Sequence, residues 1–235
     1  MNTLFKISAV ALLFLLSSCF LDGVRGNRNV ITQDRNISSD FDAIHVSHGI
    51  DVKLSMSSKT SLTVEADENL HDIIRTEVED GVLRIYAEKN IFSSKKRTVY
   101  LTAVEMNEVK ATSGASVVSK NSIKTEDMIV KTTSGANVNL ELEAVNVSSS
   151  STSGSNIRLS GTAEKLVASA TSGANLSAKS LEVKVCEAKA TSGSVMSVKA
   201  TEELDARATS GGNISCSGNP EIVKKSSSSG GNIRS

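Results

Sequence analysis

From about residue 117 to the end of the chain, apolar or small residues alternate with polar ones at a spacing of two, in two short runs per repeat of about 19 residues. A spacing of two is the strand period, whereas a helix would place its apolar residues at a spacing of 3.6. Counted from a recurring glycine, the inward positions are +3 and +5, and then −7, −5 and −3 before the next glycine. Each repeat is therefore predicted to hold two short strands, at about +2 to +6 and −8 to −3, joined by two turns.

The recurring glycine lies in the phrase Thr-Ser-Gly or a close variant, and successive copies are 18 to 21 residues apart. Such a period is typical of a solenoid, in which each coil buries its apolar face only by stacking on its neighbours. We predict an all-β, single-stranded parallel β-helix, right-handed because parallel connections prefer that sense. With about 4.8 Å between coils, the glycine column would be roughly 30 Å long. Its members are Gly114, Gly135, Gly154, Gly173, Gly193, Gly211 and Gly230.

The phrase itself is explained by the architecture. Glycine tolerates the positive φ of a tight turn, and an asparagine at +2 can hydrogen-bond its own turn or the adjacent layer. The threonine at −2 of most repeats is assigned the same structural role, although threonine ranks also occur on ice-binding solenoids. We expect Ile157, at +3, to face the core, so that Ile157→Asp unfolds the coil, and Ser155, at +1, to lie in the outward-facing turn.

Residues 40–110 keep the strand period but lose the phrase. Strands are predicted at 61–66, 83–89 and 97–103, and the "EDG" at 79–81 predicts a hairpin turn. The "SHG" at 47–49 is interpreted as a diverged copy of the turn phrase.

Four segments together resemble the head GIN domain family of putative auto-transporter adhesins, found in Bacteroidetes envelopes: "FDAIHVSHGIDV" (41–52), "LTVEADENL" (62–70), "VEDGVLRI" (78–85) and the repeated "TSGA". The "GIN" of the name appears here as Gly49-Ile50-Asp51, with Asp in the third place. The resemblance covers about residues 40–235 and implies a right-handed β-helix. It brings no catalytic residue to transfer, and fold alone does not establish adhesion.

The start of the chain is predicted to be a targeting segment. Lys6 precedes ten apolar residues at 7–16, too few for a typical membrane-spanning helix, and "LSSC" at 16–19 resembles a bacterial lipoprotein signal. We predict a signal peptide at 1–18 and lipidation of Cys19, with an ordinary secretory signal as the alternative. Acyl chains on Cys19 would make the membrane a partner. Residues 19–39 are interpreted as the lipidated cysteine and a polar tether, 40–110 as the N-terminal β region, and 111–235 as the repeat coils.

Composition narrows the function. Without residues 1–18 the chain has 25 basic and 26 acidic residues, which gives no reason to expect nucleic-acid binding. Cys186 and Cys216 fall in inward columns on different coils, so buried free thiols are expected, with a disulfide as the less favoured alternative.

Catalysis is not predicted. Polysaccharide-cleaving β-helices need clustered carboxylates, a base and aromatic rings, yet no aromatic residue follows Tyr100 and no histidine follows His71. His45 and His48, three apart on a strand, would face opposite sides and make a poor metal pair without a bend. A glutamate file near −9 is interpreted as a solvated edge. No metal or cofactor site is expected.

Two functions remain open: an envelope binding module that contacts an unknown surface or protein through its polar face, and an assembly protein that forms homo-oligomers through the exposed edge of its last coil. The expected location is the cell envelope, as an outer-membrane lipoprotein.

Overall fold

The computed structural model describes residues 23–234, which are all-β. The strands of the N-terminal part are β1 (Gly23–Arg25), β2 (Val30–Arg35), β3 (Ala43–Val46), β4 (Asp51–Met56), β5 (Ser61–Asp67), β6 (Ile74–Glu79), β7 (Val82–Ala87), β8 (Asn90–Ser93), β9 (Arg97–Ala103), β10 (Glu108–Ala111) and β11 (Ser116–Ser119). The only helical segment within 23–234 is a 3-10 turn at Glu68–Leu70.

The repeats form β12 (Ile123–Thr132), β13 (Asn137–Ser151), β14 (Asn156–Ala170), β15 (Asn175–Ala190), β16 (Val195–Ala208), β17 (Asn213–Ser217), β18 (Ile222–Ser227) and β19 (Asn232–Arg234). Each pairs in parallel with its counterpart one coil later, and equivalent positions are in register, as in Val138↔Ile157 and Ile157↔Leu176. The predicted solenoid of about 19 residues per coil is confirmed, with about seven turns. Its right-handed sense stays a prediction from the sequence.

The turn phrase forms a tight turn in which two consecutive residues have positive φ. In the third copy φ is +53° at Ser153 and +68° at Gly154, a combination that type I′ turns require. The Ser155 N–H donates to Thr152 O at 3.2 Å, and the Gly154 N–H donates to Ser172 O of the next coil at 3.1 Å. Equivalent hydrogen bonds run from coil to coil, so the turns stack as regularly as the strands.

The same turn occurs in the N-terminal part, where the phrase has diverged. His48 and Gly49 have φ of +57° and +67°, and the Gly49 N–H donates to Ser113 O at 3.0 Å. The interpretation of "SHG" as an early copy of the phrase is therefore confirmed. Asp80 and Gly81 have the same pair of positive φ angles and connect β6 to β7 as the predicted hairpin.

The core is a column of inward side chains that follows the predicted positions through the central coils. The +3 file is buried from Val117 to Ile214, and the −7 file is buried from Met128 to Leu204. Cys186 and Cys216 are buried free thiols within this core, as expected. Burial raises the pKa of Cys186 to about 12, so this thiol stays protonated at neutral pH.

Two predictions about inward and outward positions were wrong. Ser155 is buried rather than outward-facing, because the +1 residue of each tight turn points back beneath the turn into the core, as Ala136 and Ala174 also do. In the last coil Val223, Lys225 and Ser227 occupy inward columns but are exposed. The outer edge of β18 has no pairing strand among the described residues, so these side chains lack a covering layer.

The four central coils, formed by β13 to β16, bend within a continuous strand instead of making a second tight turn. β13 runs unbroken for 15 residues, and two consecutive outward residues, Val145 and Asn146, mark a corner where the alternation shifts phase. Another bend lies at Gly161, whose φ is +106° and where a Cβ would meet Leu142 O at 2.0 Å. Slips in repeat length are absorbed inside strands, as in the register shift between β14 and β15.

The N-terminal end of the solenoid is closed by antiparallel strands. β9 pairs with β5 and β5 with β2, and the β6–β7 hairpin flanks β3. The predicted tether was therefore wrong for residues 23–35, because β1 pairs with β8 and β2 extends the cap. The alternation of apolar and polar residues did not predict β2, because its partner, β5, is antiparallel to it and distant in sequence.

Asp67 anchors this cap from a buried position. Its carboxylate accepts hydrogen bonds from the backbone N–H groups of Arg28 at 3.0 Å, Lys96 at 2.9 Å and Lys95 at 3.1 Å. Burial by itself raises the pKa of Asp67, but these donors outweigh it and hold the pKa below the usual value. Gly26 leaves the necessary room, since a Cβ there would lie 2.0 Å from Asp67 Oδ2.

Candidate functional site

The outward residues two and four positions after the turn glycines form one long polar surface, which we call the amide face. Because the coils are in register, each position makes a straight file with a spacing of about 4.8 Å. The +2 file is Ser116, Asn137, Asn156, Asn175, Val195, Asn213 and Asn232, and the +4 file is Val118, Asn139, Arg158, Ser177, Ser197, Ser215 and Arg234. Amides and hydroxyls predominate, and arginines are the only charged residues in these two files.

Three of the asparagines, Asn137, Asn156 and Asn213, are held in place by side-chain hydrogen bonds. Asn156 Nδ2 donates to Asn137 Oδ1 of the adjacent coil at 3.0 Å, while Asn137 Nδ2 donates to Gly135 O at 3.3 Å and Asn213 Nδ2 to Gly211 O at 3.0 Å. Both roles expected for the +2 asparagine, bonding its own turn and bonding the next layer, therefore occur. An ordered side chain loses less conformational entropy on binding than a free one, which suits this file for contact with a partner.

A shallow depression crosses the amide face over four coils. It has a volume of about 190 Å³ and extends from Ser116 to Ser177, with Asn139 and Arg158 among its lining residues. The sheet surface continues beyond the repeats, because Asp51 pairs with Ser116 and Lys53 pairs with Val118. One strand further, Tyr100 lies beside Lys53.

Tyr100 gives the N-terminal continuation of this surface an aromatic ring. The ring is exposed and its hydroxyl donates to Glu65 Oε2 at 2.8 Å. This bond, more than burial, raises the pKa of Tyr100 above its ordinary value. Sequence reasoning did not place Tyr100 on this surface, because its pairing with β4 connects strands about 45 residues apart.

The turn edge carries a second regular feature, a pair of hydroxyls in each copy of the phrase. Thr152 Oγ1 and Ser153 Oγ are 3.4 Å apart, and the same distance recurs at Thr133–Ser134 and Thr171–Ser172. The serines are exposed, whereas the threonines are half-buried. The seven turn glycines lie at the tips of this edge, with φ between +68° and +76°. The glycines shape the turn but have no side chain. The serine and threonine hydroxyls are therefore the polar side-chain groups of this edge.

The remaining outward surfaces of the coils mix charges of both signs. Lys165 pairs with Glu187 at 2.8 Å and Lys224 with Glu203 at 3.0 Å, and Glu164 of the predicted −9 file pairs with Lys184. These groups are exposed, and solvent screening leaves such pairs with little effect on stability. Their charge pattern contrasts with the nearly neutral amide face.

The described part of the chain has neither a cluster of metal-binding side chains nor a membrane-spanning helix. Within residues 23–234, His, Cys, Asp and Glu side chains form no group of three or more that could hold a metal ion. The same residues contain no helix long and apolar enough to cross a membrane. Cys19, the predicted lipidation site, lies outside the described residues, as does the predicted signal peptide.

The fold and its regular outward files define a parallel β-solenoid with one long, nearly uncharged polar surface. Residues 40–220 match the family described as putative auto-transporter adhesin, head GIN domain, and the chain belongs to that family. The resemblance seen in the sequence is thereby confirmed. No curated protein matches the chain with significance.

Solved structures share the whole architecture. A putative adhesin from Bacteroides fragilis superposes with a TM-score of 0.84 at 22% identity, covering 90% of this chain and 99% of that one. A putative lipid binding protein from Parabacteroides distasonis has a TM-score of 0.75 at 26% identity, covering 90% and 98%. A putative adhesin from Parabacteroides merdae has a TM-score of 0.72 at 23% identity, covering 91% and 98%.

Proposed function

We propose that this protein is a non-enzymatic, lipid-anchored adhesin-like module of the cell envelope that binds its partner through the amide face. The observation that carries the proposal is the in-register file of hydrogen-bonded asparagines beside a file of serine, asparagine and arginine. Membership of a putative adhesin family supports the same role. The partner is an unknown surface or protein, and nucleic acid is not expected, since the field of the whole chain is close to neutral.

The same kinds of polar group recur from coil to coil, which suits such a surface to multivalent binding. Each coil offers the same amide and hydroxyl groups about 4.8 Å from the next, so a partner with its own repeat can make many weak contacts at once. Once the first contact forms, the later ones are intramolecular, and the total affinity exceeds that of any single contact. A rigid solenoid favours this, because the groups are already at fixed distances before binding.

Anchoring is the second part of the proposal. A lipidated Cys19 would attach the module to a membrane, and the outer membrane is the expected one. The Parabacteroides distasonis protein, described as putative lipid binding, is compatible with a role close to lipid. Mass spectrometry of Cys19 in the mature protein tests the anchor directly, and an unmodified Cys19 in the membrane fraction would contradict it.

The amide face can be tested with a charge-matched pair of variants. Beads coated with Asn156→Arg/Asn175→Arg should lose most of their attachment to a panel of extracellular-matrix proteins and polysaccharides, because two long cations disrupt a neutral file. Ser148→Arg/Ser150→Arg adds the same charge on another exposed surface and should attach like the wild type. Equal attachment by both variants, or no attachment by the wild type, would contradict binding through the amide face.

Adhesion requires that the protein be displayed on the outer surface of the cell. Protease added to intact cells should cut a surface-displayed protein while a periplasmic control stays whole. If the protein is spared until the envelope is opened, it faces the periplasm, and the adhesin role is lost while an envelope scaffold remains.

Self-association through the open solenoid edge is a second candidate function. Ile222 and Val223 of β18 are 53% and 43% exposed, and the outer edge of β18 pairs with no described strand. An unpaired strand edge with apolar side chains is a template for another strand. Sedimentation should then show a dimer that grows with concentration and is abolished by Val223→Lys. Val167→Lys, at an exposed valine of a central coil, is the control, and a strict monomer at all concentrations would exclude this function.

A further inference from the structure

A groove near the N-terminal end of the solenoid is separate from the amide face. It has a volume of about 530 Å³, within the range of about 300–1,000 Å³ that is usual for small-ligand clefts. Its floor lies on β6, β7, β3 and β10, four strands that are adjacent in the sheet. The groove shares no lining residue with the amide face, so the two surfaces can act independently.

Strand register places four charged or titratable side chains in one row along the floor. Glu77 pairs with Arg84, Arg84 with His45, and His45 with Lys110. Neighbouring strands are about 4.8 Å apart, so the row extends roughly 14 Å. The two ends of the row carry opposite charges, with a carboxylate at the β6 end and an ammonium group at the β10 end.

Most of these groups already have partners inside the protein. Arg84 Nε lies 3.4 Å from Glu79 Oε2, and His45 Nε2 lies 3.2 Å from Glu108 Oε1. Burial, followed by the nearby Lys110 cation, lowers the pKa of His45, although the contact with Glu108 opposes this. The ammonium group of Lys110 makes no hydrogen bond or ion pair with a described residue, so its charge is available to a ligand.

One wall of the groove is formed by an aromatic ring and a turn. Tyr86 is half-buried, and its hydroxyl donates to Glu77 Oε2 at 3.0 Å, which holds the ring beside the row. The positive φ of His48 turns the chain back, so that His48 lines the same groove as His45. From the sequence, the two histidines are expected to face opposite sides unless the chain bends between them, and the structure has that bend at His48.

We propose that this groove binds a saccharide that carries a carboxylate, with the hexuronates as the ligand class. Lys110 pairs with the carboxylate of the sugar, since it is the unmatched cation of the row. Glu77 and His45 accept hydrogen bonds from ring hydroxyls, and the Tyr86 ring packs against the apolar face of a sugar. An open groove lets the rest of a polysaccharide chain continue beyond the protein.

Calorimetry with the full mature chain tests the proposal, using a tetramer of galacturonic acid and the neutral tetramer of galactose. The acidic tetramer should bind at least tenfold more tightly than the neutral one. Lys110→Ala should remove that difference, whereas Lys189→Ala, an exposed lysine of a distant coil, should preserve it. Tyr86→Ala should weaken both sugars, and Tyr86→Phe, which keeps the ring, should restore most of the binding.

The outcomes separate this groove from the amide face. Asn156→Arg/Asn175→Arg should leave binding of the acidic tetramer unchanged, even if it abolishes attachment of coated beads. Equal affinity for the two tetramers, binding of neither, or full affinity in a folded Lys110→Ala variant would overturn the proposal. Thermal unfolding followed by circular dichroism identifies any variant that has simply lost its fold.

Discussion

Ser155 Oγ lies 2.8 Å from Thr132 Oγ1 of the adjacent coil, in the interior of the solenoid. The Ser155 hydroxyl also donates to Thr152 O at 2.7 Å and lies 2.9 Å from Ser151 Oγ. At the position of Ser155 the other coils have alanine, serine or glycine, and at the position of Thr132 most of them have alanine. The hydroxyls of Thr132, Ser151 and Ser155 thus join two adjacent coils inside the core, and backbone carbonyl oxygens complete their hydrogen bonds.

This relationship predicts that substitution by aspartate destabilises the protein at one serine of the turn phrase and is tolerated at another. Ser155→Asp would bury a charge beside groups that already satisfy one another, and we expect it to destabilise the protein by several kcal/mol. Ile157→Asp, at a buried +3 position, should be comparably damaging. Urea unfolding measures the free energy of unfolding of each variant.

The control is Ser153→Asp, two residues away. Ser153 is exposed with φ of +53°, a conformation that aspartate tolerates. This variant should remain within about 0.5 kcal/mol of the wild type, as is usual for surface changes. If Ser153→Asp were the more damaging of the two, the assignment of Ser155 to the core would be wrong.

Two glycines with positive φ should respond differently to alanine. Gly161→Ala should cost about 3 kcal/mol, because its Cβ would lie 2.0 Å from Leu142 O of the adjacent coil and its φ is +106°. Gly154→Ala faces open space at φ of +68°, so only the left-handed backbone opposes it, at about 1 kcal/mol. Thermal or urea unfolding ranks the pair, and equal losses would show that the clash at Gly161 relaxes without cost.

Asp67 should make the stability of the cap depend on pH. Its pKa is lowered in the folded protein, so its contribution is complete above the unfolded value of about 3.9. That contribution is lost as the pH falls through the lowered native pKa. Asp67→Asn should cost about 1.5–3 kcal/mol at pH 7, since it removes a charged acceptor of three backbone donors.

Unfolding measured from pH 7 to pH 3 distinguishes this effect from general acid sensitivity. The wild type should lose more stability over that range than Asp67→Asn, so the two curves converge at low pH. Asp72→Asn, at an exposed carboxylate nearby, should follow the wild type throughout. Parallel curves for wild type and Asp67→Asn would show that Asp67 does not titrate with folding.

The core thiols should be inert until the coil opens. Because burial raises the pKa of Cys186 to about 12, almost no thiolate is present at pH 8 to react with a maleimide. Cys216 is nearer the open end and slightly exposed, so site-resolved mass spectrometry should detect its labelling first. Adding urea should then expose Cys186, and rapid labelling of Cys186 in native buffer would contradict its place in the core.

The repeat coils were predictable because they are governed by local rules. The strand period of two places Ile157 and Leu176 inward. Because the coils stack in parallel register, each position keeps the same inward or outward orientation in the next coil, so the pattern of one repeat constrains all of them. The turn at His48–Gly49 was also visible, since a diverged phrase still needs two residues that accept positive φ. The family resemblance independently implied the same fold.

The surfaces were less predictable, because they depend on which distant segments meet. The amide face could be anticipated as a polar face, but Tyr100 enters its continuation only through pairing of β4 with β9. The groove gathers Tyr86, His45 and Lys110 from three strands whose adjacency no spacing in the chain reveals. Ser155 was misjudged because the side-chain direction at +1 depends on the φ values of the two preceding turn residues.

The sequence by itself determined that the chain coils as a β-solenoid, where its glycines turn and which files face the core, since these follow from short-range alternation repeated many times. The tertiary structure alone decided how β2 and β5 close the N-terminal end, why Asp67 is buried with its charge, and which polar groups share a groove. The physical reason is that antiparallel caps and grooves are built from contacts between residues tens of positions apart. Such contacts leave no period in the sequence, whereas stacking against an identical neighbour does.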